Sequence, residues 1–128
     1  MNYQLHDYEI DSVTLENDRI IFSFPNGFYA VDEMGQKLKP LRKKLIFHID
    51  TAGFPLESCL SIRRITYWKG WREISFKQFA ALFKKGNMII HDEYDSKYAN
   101  WKMIQMNAAT RCSNIEMFIT DIVDVKCL

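Results

Sequence analysis

Along most of the chain, hydrophobic and polar residues alternate with the two-residue period of β-strands, and one stretch departs from it. Residues 8–15 predict a strand in which Ile10, Val13 and Leu15 break strict alternation, so a bulge near Ser12 is expected. Glu16-Asn17-Asp18 is turn chemistry, and 19–24 returns with Ile20, Phe22 and Phe24 on one face, which makes a hairpin. Pro25-Asn26-Gly27 reads as a tight turn leading to a short or edge strand over 28–31. Residues 32–44 are polar and basic, contain Gly35 and Pro40, and read as a connecting loop. Leu45, Phe47 and Ile49 then alternate with Ile46, His48 and Asp50 in a further strand. A loop over 51–59 carries Gly53 and Pro55. Strand 60–69 places Arg63, Ile65, Tyr67 and Lys69 on one face and Arg64, Thr66 and Trp68 on the other. Lys69-Gly70 turns the chain, and Trp71 leads toward the next element.

That element has a different period. Over 75–86, Phe76, Phe79, Ala80 and Phe83 recur on one helical face. Ser75 and Gln78 have the spacing of a capping box, and Gly86 supplies a stop, so a short helix is predicted near 76–85. Three more strands follow at 88–94, 98–106 and 115–125, with Asp95-Ser96 joining the first two and a loop over 107–114. The last strand carries apolar groups on both faces, Ile115, Met117, Ile119 and Val123 against Phe118 and Ile122, and belongs inside a sheet rather than at its edge. Short connections imply antiparallel neighbours. The fold class is therefore mainly β: a curved antiparallel sheet of about 7–8 strands, forming a sandwich or open barrel, with one helix covering a face or an end. No long linker or repeat divides the chain, so residues 1–128 read as a single domain.

The composition is consistent with this. A chain of 128 residues with 48% hydrophobic and 14% aromatic residues has enough apolar material for a core without metals or disulfides. The formal charge is +1, yet it is segregated: residues 1–33, 34–86 and 87–128 have net charges of −6, +9 and −2. Strands pairing by complementary charge, or a positive face, would each produce that distribution. Cys59, Cys112 and Cys127 show no Cys-x-x-Cys spacing, and neither a signal segment nor a membrane span is present, which points to a cytoplasmic, reduced chain without membrane association.

Candidate chemistry is sparse. There is no phosphate loop, zinc-protease motif or nucleophile elbow, and neither a metal nor a cofactor is implied. His48, His91 and Glu93 are the residues for a pocket at one end of a barrel, since His91 and Glu93 share a strand face. Glu93 and Asp95 form the best carboxylate pair, at a place expected to face solvent. Cys59 or Cys112 would serve as nucleophile only beside a histidine, and both fall in or near predicted loops. The denser signal is basic. Lys37, Lys39, Arg42, Lys43 and Lys44 form one run, and Arg63, Arg64 and Arg72 flank Tyr67, Trp68 and Trp71 in another. Cations beside aromatics suit phosphates and bases, with Arg63 and Tyr67 the best-placed pair, but the near-neutral charge makes nucleic acid the weakest reading. Trp68 and Trp71 read as anchors that pack the helix start onto the sheet.

Leu5-His6-Asp7-Tyr8, followed by the hairpin ending in Phe24-Pro-Asn-Gly-Phe28, resembles small bacterial domains of mostly β structure, and immunity proteins to contact-delivered toxins are similar in size and style. The resemblance covers about the first thirty residues and carries no catalytic or binding residue across. It favours a non-enzymatic protein-interaction or immunity-type accessory factor, and the segregated charge makes the two basic segments the first contact candidates for an acidic protein partner. The alternatives are a small-ligand-binding protein or hydrolytic enzyme with a barrel-end cleft, and a weak nucleic-acid-binding module.

Overall fold

The computed structural model describes residues 2–98, 101–111 and 113–128. Its strands are β1 (Asn2–Tyr3), β2 (Glu9–Ile10), β3 (Ser12–Glu16), β4 (Arg19–Val31), β5 (Lys37–Ile49), β6 (Leu60–Thr66), β7 (Gly70–Ile74), β8 (Met88–Tyr98), β9 (Trp101–Ala109) and β10 (Asn114–Cys127). Among the described residues the one α-helix is α1 (Phe76–Leu82), which tightens into a 3-10 turn over Phe83–Lys85. Every strand pairing is antiparallel, and seven strands follow the order β1-β4-β5-β10-β9-β8-β2. The expected mainly-β architecture is therefore present as a nearly closed barrel.

Closure depends on one short stretch of chain. β2 pairs with β8 through Glu9↔Ile89 and Ile10↔Met88. One residue later β3 pairs with β4. The break falls at Asp11, whose N–H still donates to the Ser23 carbonyl at 3.1 Å. The irregularity expected near Ser12 is thus the joint that fastens the last strand of the sheet to the first hairpin. β10 is the interior strand that its two-sided pattern predicts. Its first half, from Asn114 to Ile119, lies between β9 and β6, and its second half, from Ile122 to Cys127, pairs with β5.

The helix closes the interior. Ser75 accepts from the Gln78 N–H at 3.1 Å while the Gln78 side chain accepts from the Ser75 N–H at 2.9 Å, the reciprocal cap predicted from sequence. Phe79 is buried, its ring meeting those of Phe76 and Phe83 at 6.0 and 5.4 Å, and both neighbours pack on the core. Among Ile10, Phe22, Phe79, Ile90, Met106, Ala108, Ile115 and Met117 there remains a void of only about 10 Å³, close to the space of a single water. The barrel is a packed core, not a container.

Several expected connections are strands instead. Residues 37–44 are not a loop: they form the first half of β5, opposite Val31, Ala30, Phe28 and Ser23 of β4. Pro25-Asn26-Gly27 does not end a strand but bulges out of the thirteen-residue β4, where pairing resumes at Phe28↔Arg42. Asp95 and Ser96 lie within the β8–β9 ladder, which continues to Tyr98↔Trp101. The loop over 107–114 shrinks to a turn in which the Thr110 N–H donates to the Ser113 carbonyl at 2.8 Å. Trp71 belongs to β7, which folds back on β6, and not to the approach to the helix. In each case the ladder, by satisfying backbone groups in pairs, overrides residues with turn or loop preferences.

Candidate functional site

β6 and β7 form a hairpin attached by one flank to β10, with registers Ile62↔Ile74, Arg63↔Glu73, Arg64↔Arg72 and Ile65↔Trp71. Paired residues share a face, so Ile62 points with Arg64 and Arg72 toward the interior side, and Ile62 is buried there. The opposite side carries Arg63, Ile65, Trp71 and Glu73. Beyond Thr66 the chain turns, with Lys69 N–H donating to Thr66 Oγ1 at 3.3 Å. Tyr67 and Trp68 crown that turn, meeting edge to face at 5.0 Å.

The aromatics are not anchors. Tyr67 is 91% exposed, Trp68 88% and Trp71 61%. The packing role expected for Trp68 and Trp71 is corrected: the helix start is held by its own capping box and by Phe76 and Phe79, which leaves both indoles outside. Arg63 stands over Trp71 at 4.8 Å and over Phe118 at 5.4 Å, with Glu73 and Glu116 in register on its two sides. Its partner is therefore Trp71 and not Tyr67, because the strand ends at Thr66 and the turn carries Tyr67 away. Arg64, Thr66, Tyr67, Trp68, Lys69 and Arg72 line an open concavity of about 370 Å³.

The other basic segment is less uniform than its sequence. Lys37, Lys39, Lys43 and Lys44 are exposed on β5, with Lys37 over the Tyr29 ring at 5.5 Å and Lys43 Nζ donating to the Pro25 carbonyl at 3.0 Å. Arg42 is half-buried and its Nη1 donates to the Cys127 carbonyl at 3.5 Å, so it is a structural residue of the β5–β10 seam. None of the β4 residues opposite this segment is acidic, so complementary cross-strand charge does not account for its lysines.

His48 and His91 are not brought together. His48 is half-buried on β5 opposite Arg19 and Asp124, His91 is exposed on β8, and β10 and β9 intervene along the sheet. The groove beside His91, about 300 Å³, takes its other walls from Ile65, Asp92, Asn107, Asn114 and Glu116. Glu93 is half-buried and accepts from the Leu5 N–H at 2.7 Å. Burial pushes its carboxyl up to about 7, opposed by the Leu5 hydrogen bond and aided by Asp95. Tyr3 lies near both acids, and burial raises its phenol as well. The raised acid expected to face solvent is thus partly interior, but it serves the N-terminal segment. His6 donates from Nδ1 to the His91 carbonyl, which with Asp7 raises its pKa. Among the described residues, no three His, Cys, Asp or Glu side chains gather as a metal would require. Cys59 is buried rather than exposed, and burial pushes its thiol up, away from nucleophilic chemistry. Cys112 lies outside the described residues.

Neither a family model, nor a curated protein, nor a solved structure matches the chain. What can be said of function therefore rests on its own residues. It is a small, mostly β-stranded domain with no cluster of metal-ligating side chains among the described residues.

Proposed function

We propose that the protein is a non-enzymatic interaction module, of the accessory or immunity type, whose contact surface is the β6–β7 hairpin. One observation supports this above all: a barrel with a filled interior exposes Tyr67 and Trp68 at the turn of the hairpin beside Arg64, Lys69 and Arg72, with Trp71 exposed under Arg63 on the hairpin's other face. Trp, Tyr and Arg are the residues that dominate binding energy at protein interfaces, and the rigid rings of Trp and Tyr lose little entropy on contact. Scattered exposed hydrophobes need no explanation, but Tyr67 and Trp68, in ring contact at the edge of one concavity, mark a contact surface. The surrounding cations favour an acidic protein partner, steering encounter and selecting orientation. Lys37, Lys39, Lys43 and Lys44 extend the positive surface, while Arg42 is withdrawn from it.

Affinity capture from the source cell tests the reading. The wild-type chain should recover a partner that Trp68→Ala and Arg72→Glu each lose and that Lys43→Glu largely retains. Recovery unchanged by both hairpin substitutions would refute it. Binding of single-stranded oligonucleotide with a steep salt dependence, abolished by Trp68→Ala, would instead favour a nucleic-acid module.

A further inference from the structure

On the interior side of the same hairpin, next to the C-terminal end of α1, a cleft of about 70 Å³ is lined by Arg64, Leu82, Lys85, Thr110 and Arg111, together with Gly86 and Asn87. Three cations converge there from three elements: β6, the 3-10 turn after the helix, and the turn between β9 and β10. No acid lines the cleft. Asn87 turns its amide to Glu9 at 2.9 Å, and Asn26 takes the other oxygen of that carboxylate, also at 2.9 Å.

Arg64 is positioned rather than free. Its Nε donates to Ser113 Oγ at 3.2 Å, and Ser113 is itself buried in the 110–113 turn, where its N–H donates to Thr110 Oγ1. That bond fixes the guanidinium plane. On its other flank Arg64 stands directly opposite Arg72, a like-charge cross-strand pair, and among the described residues neither arginine forms an ion pair. Like charges in register are destabilising. An anion held by Arg64 would lower the positive charge on its side of that pair.

We propose that this cleft binds the phosphoryl group of a phosphate monoester. Its volume exceeds the roughly 10–15 Å³ needed by one water and falls far below the roughly 300–1,000 Å³ of small-molecule pockets, so it admits one compact group and not a ring. Three cations match a monoester of about −1.5 to −2 charge better than a singly charged carboxylate. Two guanidinium groups supply forked donors suited to its oxygens. The small volume suits a group attached at one point, whereas a phosphodiester is tethered on both sides. The site shares Arg64 with the hairpin surface, but Lys85 and Arg111 belong to α1's end and the turn after β9, so Arg111→Gln tests it without touching the hairpin.

Titration of the labelled protein by NMR with inorganic phosphate tests it, alongside a phosphoserine peptide, the unphosphorylated peptide, acetate, and an oligonucleotide without terminal phosphate. Saturable millimolar binding of phosphate is expected, with amide shifts confined to 85–87, 110, 111, 113 and 114. Arg111→Gln should weaken it about tenfold, the loss of one charge-assisted contact; because Arg111 is exposed, this variant keeps its fold even if Arg64→Gln does not. Lys43→Gln should bind as wild type. A peptide tighter than phosphate assigns the group to a phosphorylated side chain, and equal affinity assigns it to a small phosphate; both sustain the site. Equal binding of acetate or of the oligonucleotide, an unaffected Arg111→Gln, or shifts spread over all lysines would overturn it.

Discussion

At Gly27 the backbone takes φ +75°, and a Cβ built there would lie 2.5 Å from Leu41 Cγ and 2.9 Å from the Arg42 carbonyl. Conformation and space both demand glycine, as the Pro-Asn-Gly sequence suggests. Phe24 and Phe28 flank it, buried and 4.5 Å apart, which holds the bulge against the core. Gly27→Ala should lower stability by about 2–3 kcal/mol in urea unfolding, since a left-handed backbone and a close approach are lost together. Glu93 offers a pH-dependent counterpart. The folded chain holds its proton up to about 7 against an ordinary 4.5, so it binds that proton more tightly than the unfolded chain does. The resulting stabilisation is complete below about pH 4.5 and is lost as pH rises through 7. Glu93→Gln should keep the acceptor for Leu5 while removing the charge, so it should gain about 1 kcal/mol at pH 8 after allowance for solvent screening, and little at pH 4. Equal effects at both values would contradict that account.

At the scale of elements, the clearest features in the sequence were those written in local chemistry. The helix was legible because capping residues and a 3.6-residue stripe coincide over 75–86, and β10 because both faces are apolar. Phe79→Ala should cost about 3–5 kcal/mol, as the plug of a closed barrel leaves a cavity that cannot collapse, and calorimetry or urea unfolding would measure it. The misread elements share one physical cause. Residues 37–44 look like a loop because their cations and Pro40 carry no alternating pattern, yet the ladder with β4 needs only backbone groups, and Lys43 and Lys44 N–H groups donate to the Leu128 carbonyl at 2.7 and 2.9 Å. Trp71 was misplaced because an indole next to a helix start looks like a packing group; only the register with Ile65 shows that it faces outward beneath Arg63. Trp71→Ala should therefore leave stability nearly unchanged, within about 1 kcal/mol, because most of the ring is already in water.

For the molecule as a whole, segregated charge could not give the arrangement of the cations: Arg63 stands in register between Glu73 and Glu116, whereas the lysines of β5 face no acid on β4. The lysines of β5 and the arginines of β6 are far apart in sequence, and only the handover from β5 to β6 along β10 places them on successive parts of one flank. Lys85 and Arg111 carried no sequence signal at all, since nothing local indicates that a 3-10 turn and a strand turn meet at Arg64. The central claim is that contact with a partner is made through the hairpin crown and not through the barrel interior. In-cell photo-crosslinking tests this most directly, with a photoreactive residue placed in turn at Tyr67, Trp68, Met34 and Lys43. The account predicts one discrete protein adduct from positions 67 and 68, weak or absent from 34. Adducts that arise equally at every position, or only away from the hairpin, would contradict it.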